Sequence, residues 1–319
     1  MRGKLLVGFV GMVVGLLATV GGSMAYDMPS VNLGFTSFLD GGPPSGPGFY
    51  YSQYVQYYES DSLKNAQGDA ALPDGADENL DIWISMSQFI YQSDQPVFLG
   101  GKWGVNVMIP VVGLDMSYAM DAPFPEDNGT GLGDVLVGPF IQWDPIMGAN
   151  GPRFMHRIEL QVTFPTGKYD SDKELNPGSN TYTFNPYWAF TAFLTPKLTV
   201  SARLHYLYNF KNDDPNDGLT GVTETRAGDA FHANFTTAYE VIPGRLRLGL
   251  NGYYLNQYQD TEYDGKRIDG TAEKVFAIGP GGVLHLGKDD NLLVNVYFES
   301  GAENRTEGNR YNVRYVHHF

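Results

Sequence analysis

T-P-K-L-T-V-S-A-R-L-H-Y-L-Y-N-F, Thr195 to Phe210, decides how this chain folds. After a Thr-Pro-Lys turn, Leu198, Val200, Ala202, Leu204, Tyr206, Tyr208 and Phe210 fall on one side of an extended chain. Thr199, Ser201, Arg203, His205, Leu207 and Asn209 fall on the other. Alternation at period two marks a strand with unlike surroundings on its two faces. A soluble sandwich packs its apolar face on a second sheet and wets the polar one. A membrane barrel turns the apolar face to lipid and the polar face inward.

The pattern recurs along the chain. Phe231, Ala233, Phe235, Thr237, Tyr239 and Val241 oppose His232, Asn234, Thr236 and Glu240. His156, Ile158, Leu160, Val162 and Phe164 oppose Arg157, Glu159, Gln161 and Thr163. Twelve segments read as strands: 49–60, 80–93, 100–115, 133–143, 154–165, 181–194, 198–210, 228–241, 245–258, 272–287, 291–300 and 308–319. The connections run alternately long (61–79, 116–132, 166–180, 211–227, 259–271, 301–307) and short (94–99, 144–153, 195–197, 242–244, 288–290). Long external loops and short periplasmic turns are the habit of outer-membrane barrels. A sandwich has no reason to gather its long loops at one end. The expected fold is an all-β antiparallel transmembrane β-barrel of about twelve strands, spanning 49–319 and closed so that no edge meets lipid.

The first 25 residues have the layout of a secretory signal peptide: Arg2 and Lys4, the apolar run Leu5 to Val20, then Ser23 and Ala25 spaced for cleavage before Tyr26. Their removal takes the net charge from −15 to near −17. Nucleic acid, which needs a basic surface, is not an expected partner. With no cysteine there is no disulfide framework. No later apolar run approaches the roughly 20 residues of a spanning helix. Acidic clusters at 74–78, 125–128 and 212–217 belong in water, outside the cell of a Gram-negative bacterium.

Tyr50, Tyr51, Tyr57, Tyr58, Trp103, Trp143, Trp188, Tyr253, Tyr254 and Tyr258 lie near strand ends, where aromatic girdles form. The chain closes on R-Y-N-V-R-Y-V-H-H-F, with Tyr311, Val313, Tyr315 and Phe319 outward and Asn312 and Arg314 inward. A terminal phenylalanine after alternating aromatics resembles the signal read by the barrel-assembly machinery, which makes Phe319 the expected assembly signal. Outer-membrane lipid and lipopolysaccharide are the other expected partners. The Gly- and Pro-rich stretch before the first strand, within 26–48, has two readings: a partial plug at the periplasmic mouth, or a loose leader.

Arg157, Glu159, Arg203, His205, Glu240, Arg245, Arg247, Asn251, Asn312 and Arg314 fall on polar faces and are the candidate lumen-lining residues. They could bias a pore or simply cross-brace a small barrel. Catalysis is not expected: no G-x-S-x-G occurs, and His156, sent toward lipid, has apolar Ile158 beside it. His317 and His318 point to opposite faces, and H-E-x-x-H and calcium-loop patterns are missing, so neither metal nor cofactor is expected.

N-L-G-F-T-S-F-L-D-G-G-P-P-S-G-P-G-F-Y-Y-S-Q-Y-V-Q-Y-Y at 32–58 closely resembles the start of one bacterial family, the outer-membrane proteins associated with the meta-pathway of phenol degradation. G-L-G-D-V-L-V-G-P at 131–139, V-T-F-P-T-G-K-Y at 162–169 and N-P-Y-W-A-F-T at 185–191 resemble its internal segments. The resemblance implies a channel or transporter that admits small hydrophobic or aromatic compounds for catabolism, with no catalytic centre. A general small-solute porin and a non-conducting structural or adhesive barrel are the alternatives.

Overall fold

The computed structural model describes residues 33–35, 37–42, 46–72, 78–119 and 126–319. The expected signal segment, 1–25, lies outside the described residues, as do 74–77 of the first acidic cluster. Twelve long strands make up the wall: β1 (Gly48–Leu63), β2 (Glu78–Phe98), β3 (Gly101–Tyr118), β4 (Val135–Gln142), β5 (Gly151–Phe164), β6 (Thr183–Phe193), β7 (Leu198–Asn209), β8 (Ala230–Ile242), β9 (Leu246–Gln257), β10 (Lys274–His285), β11 (Asp290–Glu303) and β12 (Thr306–His318). Each pairs antiparallel with its neighbour in sequence. The last strand returns to the first, with Tyr50 opposite His318 and Tyr57 opposite Tyr311. The sheet is therefore closed, and no backbone edge is left unpaired in a medium that offers no hydrogen bonds.

All twelve expected strands are present, and the differences lie at their ends. β2 runs on to Phe98, so the connection expected at 94–99 shrinks to the two residues 99–100. β11 reaches Glu303 and β12 begins at Thr306, so a two-residue turn, Asn304 and Arg305, replaces the long loop expected at 301–307. The reason is physical. Beyond the bilayer both faces of a strand are wet, so side-chain alternation fades while backbone pairing continues, as Lys274 opposite Glu303 illustrates.

Large apolar side chains stand exposed around the wall, among them Val55, Trp83, Ile109, Ile158, Leu160, Trp188, Leu248, Leu250, Ile278, Val294 and Val313. So wide an exposed apolar belt is a membrane-contacting surface. Trp103, Trp188 and Tyr258 join it as expected, and Tyr57 stacks on Trp83 with ring centroids 4.4 Å apart. Tyr50, Tyr58 and Tyr253 do not. Each is buried inside the barrel, because its parity along the strand places it on the inward face.

Outside the membrane the loop ends are tied together by a small sheet of Thr225–Arg226, Glu262–Tyr263 and Lys266–Arg267. Asp264, at its tip, accepts hydrogen bonds from the Thr223 backbone N–H (2.9 Å), the Thr223 hydroxyl (2.8 Å) and the Glu224 N–H (3.2 Å). These donors hold its carboxyl below the ordinary value of 3.8.

Candidate functional site

The inward faces alternate with the lipid face, so polar side chains converge on the axis. Glu159 shows how they are joined. Its Oε1 accepts from Asn106 Nδ2 (2.9 Å) on β3 and from Gln161 Nε2 (2.8 Å), and its Oε2 accepts from the Tyr187 hydroxyl on β6. To reach Asn106 it must cross β4, and it does so over Gly138. A Cβ at that position would lie 2.3 Å from Glu159 Oε1.

From Asn106 the chain of hydrogen bonds continues around the wall. Gln88 Nε2 donates to Asn106 Oδ1 (3.0 Å), the Tyr54 hydroxyl donates to Gln88 Oε1 (3.0 Å), and Arg314 Nη1 donates to the Tyr54 oxygen (3.1 Å). On the other side Arg157 Nη2 donates to the Tyr187 hydroxyl (2.9 Å), and the Arg203 guanidinium lies over the Tyr187 ring at 4.2 Å. A polar belt thus runs from β12 through β1, β2, β3, β5 and β6 to β7. Buried charges are tolerated because each has partners.

Inside this belt sits the stretch before β1. Leu33, Phe35, Ser37, Phe38 and Asp40 are all buried. Arg203 forks onto Asp40, Nε to Oδ2 at 2.8 Å and Nη2 to Oδ1 at 2.6 Å. Gly34 donates its N–H to Asn234 Oδ1 and accepts from Asn312 Nδ2, both at 2.9 Å. Gly41 donates to Thr191 Oγ1 (2.9 Å) and lies so close to the wall that a Cβ would come within 2.3 Å of the Thr191 nitrogen. The described residues of this stretch, 33–35 and 37–42, lie within the barrel.

Each candidate residue has a definite place. Arg157, Glu159, Arg203, His205, Asn251 and Asn312 are buried on inward faces. His205 and His232 stack with centroids 4.0 Å apart, and Asn185 Oδ1 accepts from both rings, at 3.0 and 3.1 Å. Asn251 donates to the Val296 carbonyl (2.9 Å) and accepts from Asn295 Nδ2 (3.0 Å). Arg247 and Glu240 meet at 3.3 Å beside the short turns, where Arg247 also donates to the Lys197 carbonyl. Arg245 is the exception. It is exposed in the turn 243–245 and outside the wall, because the strand that the alternation began at 245 begins at Leu246.

Charged residues that the sequence reading did not single out gather at the outer mouth. Arg305, on the two-residue turn after β11, folds inward and is 1% exposed. It faces Glu273 at 3.3 Å and Glu299 at 3.9 Å. Glu299 also accepts from the Tyr253 (2.6 Å) and Tyr58 (2.9 Å) hydroxyls, and Arg310 lies 3.8 Å away. At the opposite, short-turn end a cavity of about 350 Å³ opens between Phe38, Leu39, Gly42, Gly46 and Pro47 on one side and the wall on the other. Among the described residues no group of three or more His, Asp or Glu side chains is placed to hold a metal ion.

Comparisons with known proteins agree with this architecture. The chain is similar in structure to an outer membrane channel from Pseudomonas putida F1, with a TM-score of 0.71 and 18% identity, over 91% of this chain and 100% of that one. It is more distantly similar to the translocator domain of the autotransporter NalP from Neisseria meningitidis, with a TM-score of 0.47 and 8% identity, over 86% and 89% of the two chains. At 18% identity the likeness to the Pseudomonas putida channel is one of fold alone. No curated protein matches the sequence. The profile of the family described as "Putative MetA-pathway of phenol degradation" matches residues 60–315, well over half of the chain. With the lipid belt, the closed wall and this match together, the chain belongs to that family and is an outer-membrane β-barrel of twelve strands.

Proposed function

We propose that the protein is a non-enzymatic channel that admits small hydrophobic or aromatic compounds across the outer membrane. The observation that carries this reading is the cavity at the short-turn mouth. It is walled by Phe38, Leu39, Trp143, Met155, Phe193 and Val283 and is of a size for a single-ring solute. Aromatic and apolar walls with a few polar groups favour such solutes over sugars. The family's link to phenol breakdown points the same way. In this reading Arg157, Glu159, Arg203, His205, Asn251, Asn312 and Arg314 line the route. Residues 33–35 and 37–42 narrow it and shift when solute passes.

Uptake into liposomes tests the reading. Purified protein should admit toluene well above the rate of protein-free vesicles and exclude a small sugar. Equal rates for both would make it a general porin. No uptake of either would make it a structural barrel.

A further inference from the structure

Four polar atoms on side chains that line the short-turn cavity are buried without a hydrogen-bond partner: Gln92 Oε1, Gln142 Oε1, Asn291 Nδ2 and Arg314 Nε. Gln92, Gln142 and Asn291 are each less than 5% exposed. Buried polar groups are nearly always paired; four side chains that line one cavity and each keep an unpaired polar atom would meet a polar ligand there by a small turn of the side chain.

Their chemistry is divided by side. Gln142 Nε2 is already taken by the carbonyls of Gly41 (3.0 Å), Trp143 (3.0 Å) and His156 (2.9 Å), so its oxygen is a free acceptor on β4. Gln92 adds a second acceptor on β2. Asn291 Oδ1 accepts from His285 Nδ1, which leaves its Nδ2 as a free donor on β11. Arg314, on β12, uses one Nη on the Tyr54 hydroxyl, and among the described residues no carboxylate pairs with it. The lining carboxylate Asp144 is neutralised by Lys102 at 2.6 Å. One wall therefore offers a cation and a donor, the other offers acceptors, and apolar side chains lie between.

We propose that this cavity is a binding subsite for a small aromatic acid that carries a hydroxyl group remote from its carboxylate. Arg314 and Asn291 hold the carboxylate, Gln92 and Gln142 are alternative acceptors for the one O–H, and Phe38 and Leu39 of the inserted stretch cover the ring. The choice of solute class extends the transport reading above, but the subsite is tested without transport.

The experiment is binding of 4-hydroxybenzoate to the purified full-length protein in detergent, followed by quenching of Trp143, which lines the cavity. Benzoate lacks the hydroxyl, phenol lacks the carboxylate and toluene lacks both. The expected order is 4-hydroxybenzoate tighter than benzoate or phenol by about tenfold, with toluene weakest. Arg314→Gln should weaken 4-hydroxybenzoate by at least about tenfold and leave phenol nearly unchanged. Should that variant fail to fold, Gln92→Glu, nearly isosteric, should weaken the acid by placing a like charge in the cavity. Toluene binding as tightly as 4-hydroxybenzoate, or no binding by any probe, would overturn the subsite. Toluene uptake without acid binding would refute the subsite and keep the channel. Acid binding without uptake of any solute would do the reverse.

Discussion

Asp40 and Arg203 lie 163 positions apart in the chain and meet as a two-pronged ion pair in the middle of the barrel. Both are almost fully buried, so neither charge has water to fall back on. The pair ties the stretch before β1 to β7, and Arg203 connects it to Tyr187 and the polar belt.

Asp40→Ala should therefore leave Arg203 buried and unpaired, and cost about 3–5 kcal/mol of stability. The freed stretch should also raise conductance in planar bilayers. Replacing both partners with apolar residues should recover much of the stability while leaving the conductance high. Unchanged conductance in the single variant would show that other contacts suffice to hold the stretch.

Gly138→Ala places a methyl against Glu159 Oε1, where there is only 2.3 Å of room. Glu159 must then withdraw from Asn106, and the belt is cut. The expected cost is about 1–3 kcal/mol in urea unfolding. Gly287→Ala, at a position with open space, should change the midpoint little. Equal midpoints for the two variants would argue against the crossing.

Arg305→Met removes the cation shared by Glu273 and Glu299 at the outer mouth. About 3–5 kcal/mol should be lost, because the carboxylates stay buried. Arg267→Met breaks a pair of which the arginine is exposed, and should move stability by no more than about 1 kcal/mol. Bilayer recordings should show the Arg305 variant shifting toward cation selectivity.

Asp264 makes the external sheet acid-sensitive. Its folded carboxyl titrates below the ordinary 3.8, so its contribution is complete above that value and is lost as pH falls through the depressed one. Amide exchange in residues 259–271 should speed up as pH falls below about 4, after correction for intrinsic rates. Asp264→Asn should remove that pH dependence. A wild-type loop equally protected at pH 6 and pH 2 would refute the assignment.

Phe319 donates its backbone N–H to the Phe49 carbonyl (3.0 Å), and its exposed ring meets His317 edge to face at 4.6 Å. Deleting it removes one seam hydrogen bond and the terminal aromatic. The amount of protein in the outer membrane should fall severalfold, while refolding in detergent stays close to wild type. If both fall together, the residue matters for stability and not for assembly.

Parity along the strands was enough to place Arg157, Glu159, Arg203, His205, Asn251 and Asn312 inside, because side chains of a strand alternate without exception between bulges. It would have placed Tyr50, Tyr58 and Tyr253 inside too, had it been given precedence over the habit of tyrosines to mark interfaces. Arg245 was misplaced by one position at a strand start, where turn and strand residues look alike.

The amino-acid sequence by itself determined the twelve strands, their lipid and inward faces and the alternation of every loop but the last, since all of these are local and periodic. Only the tertiary structure decided what fills the interior. The stretch 33–42 has no period, and its partners Arg203, Asn234, Thr191 and Asn312 come from four different strands brought round by closure. Arg305 is likewise a turn residue by sequence, and only the curvature of the closed wall turns it onto Glu273 and Glu299. Closure puts residues far apart in the chain at one height around the axis, and that neighbourhood is written in register and not in any single strand.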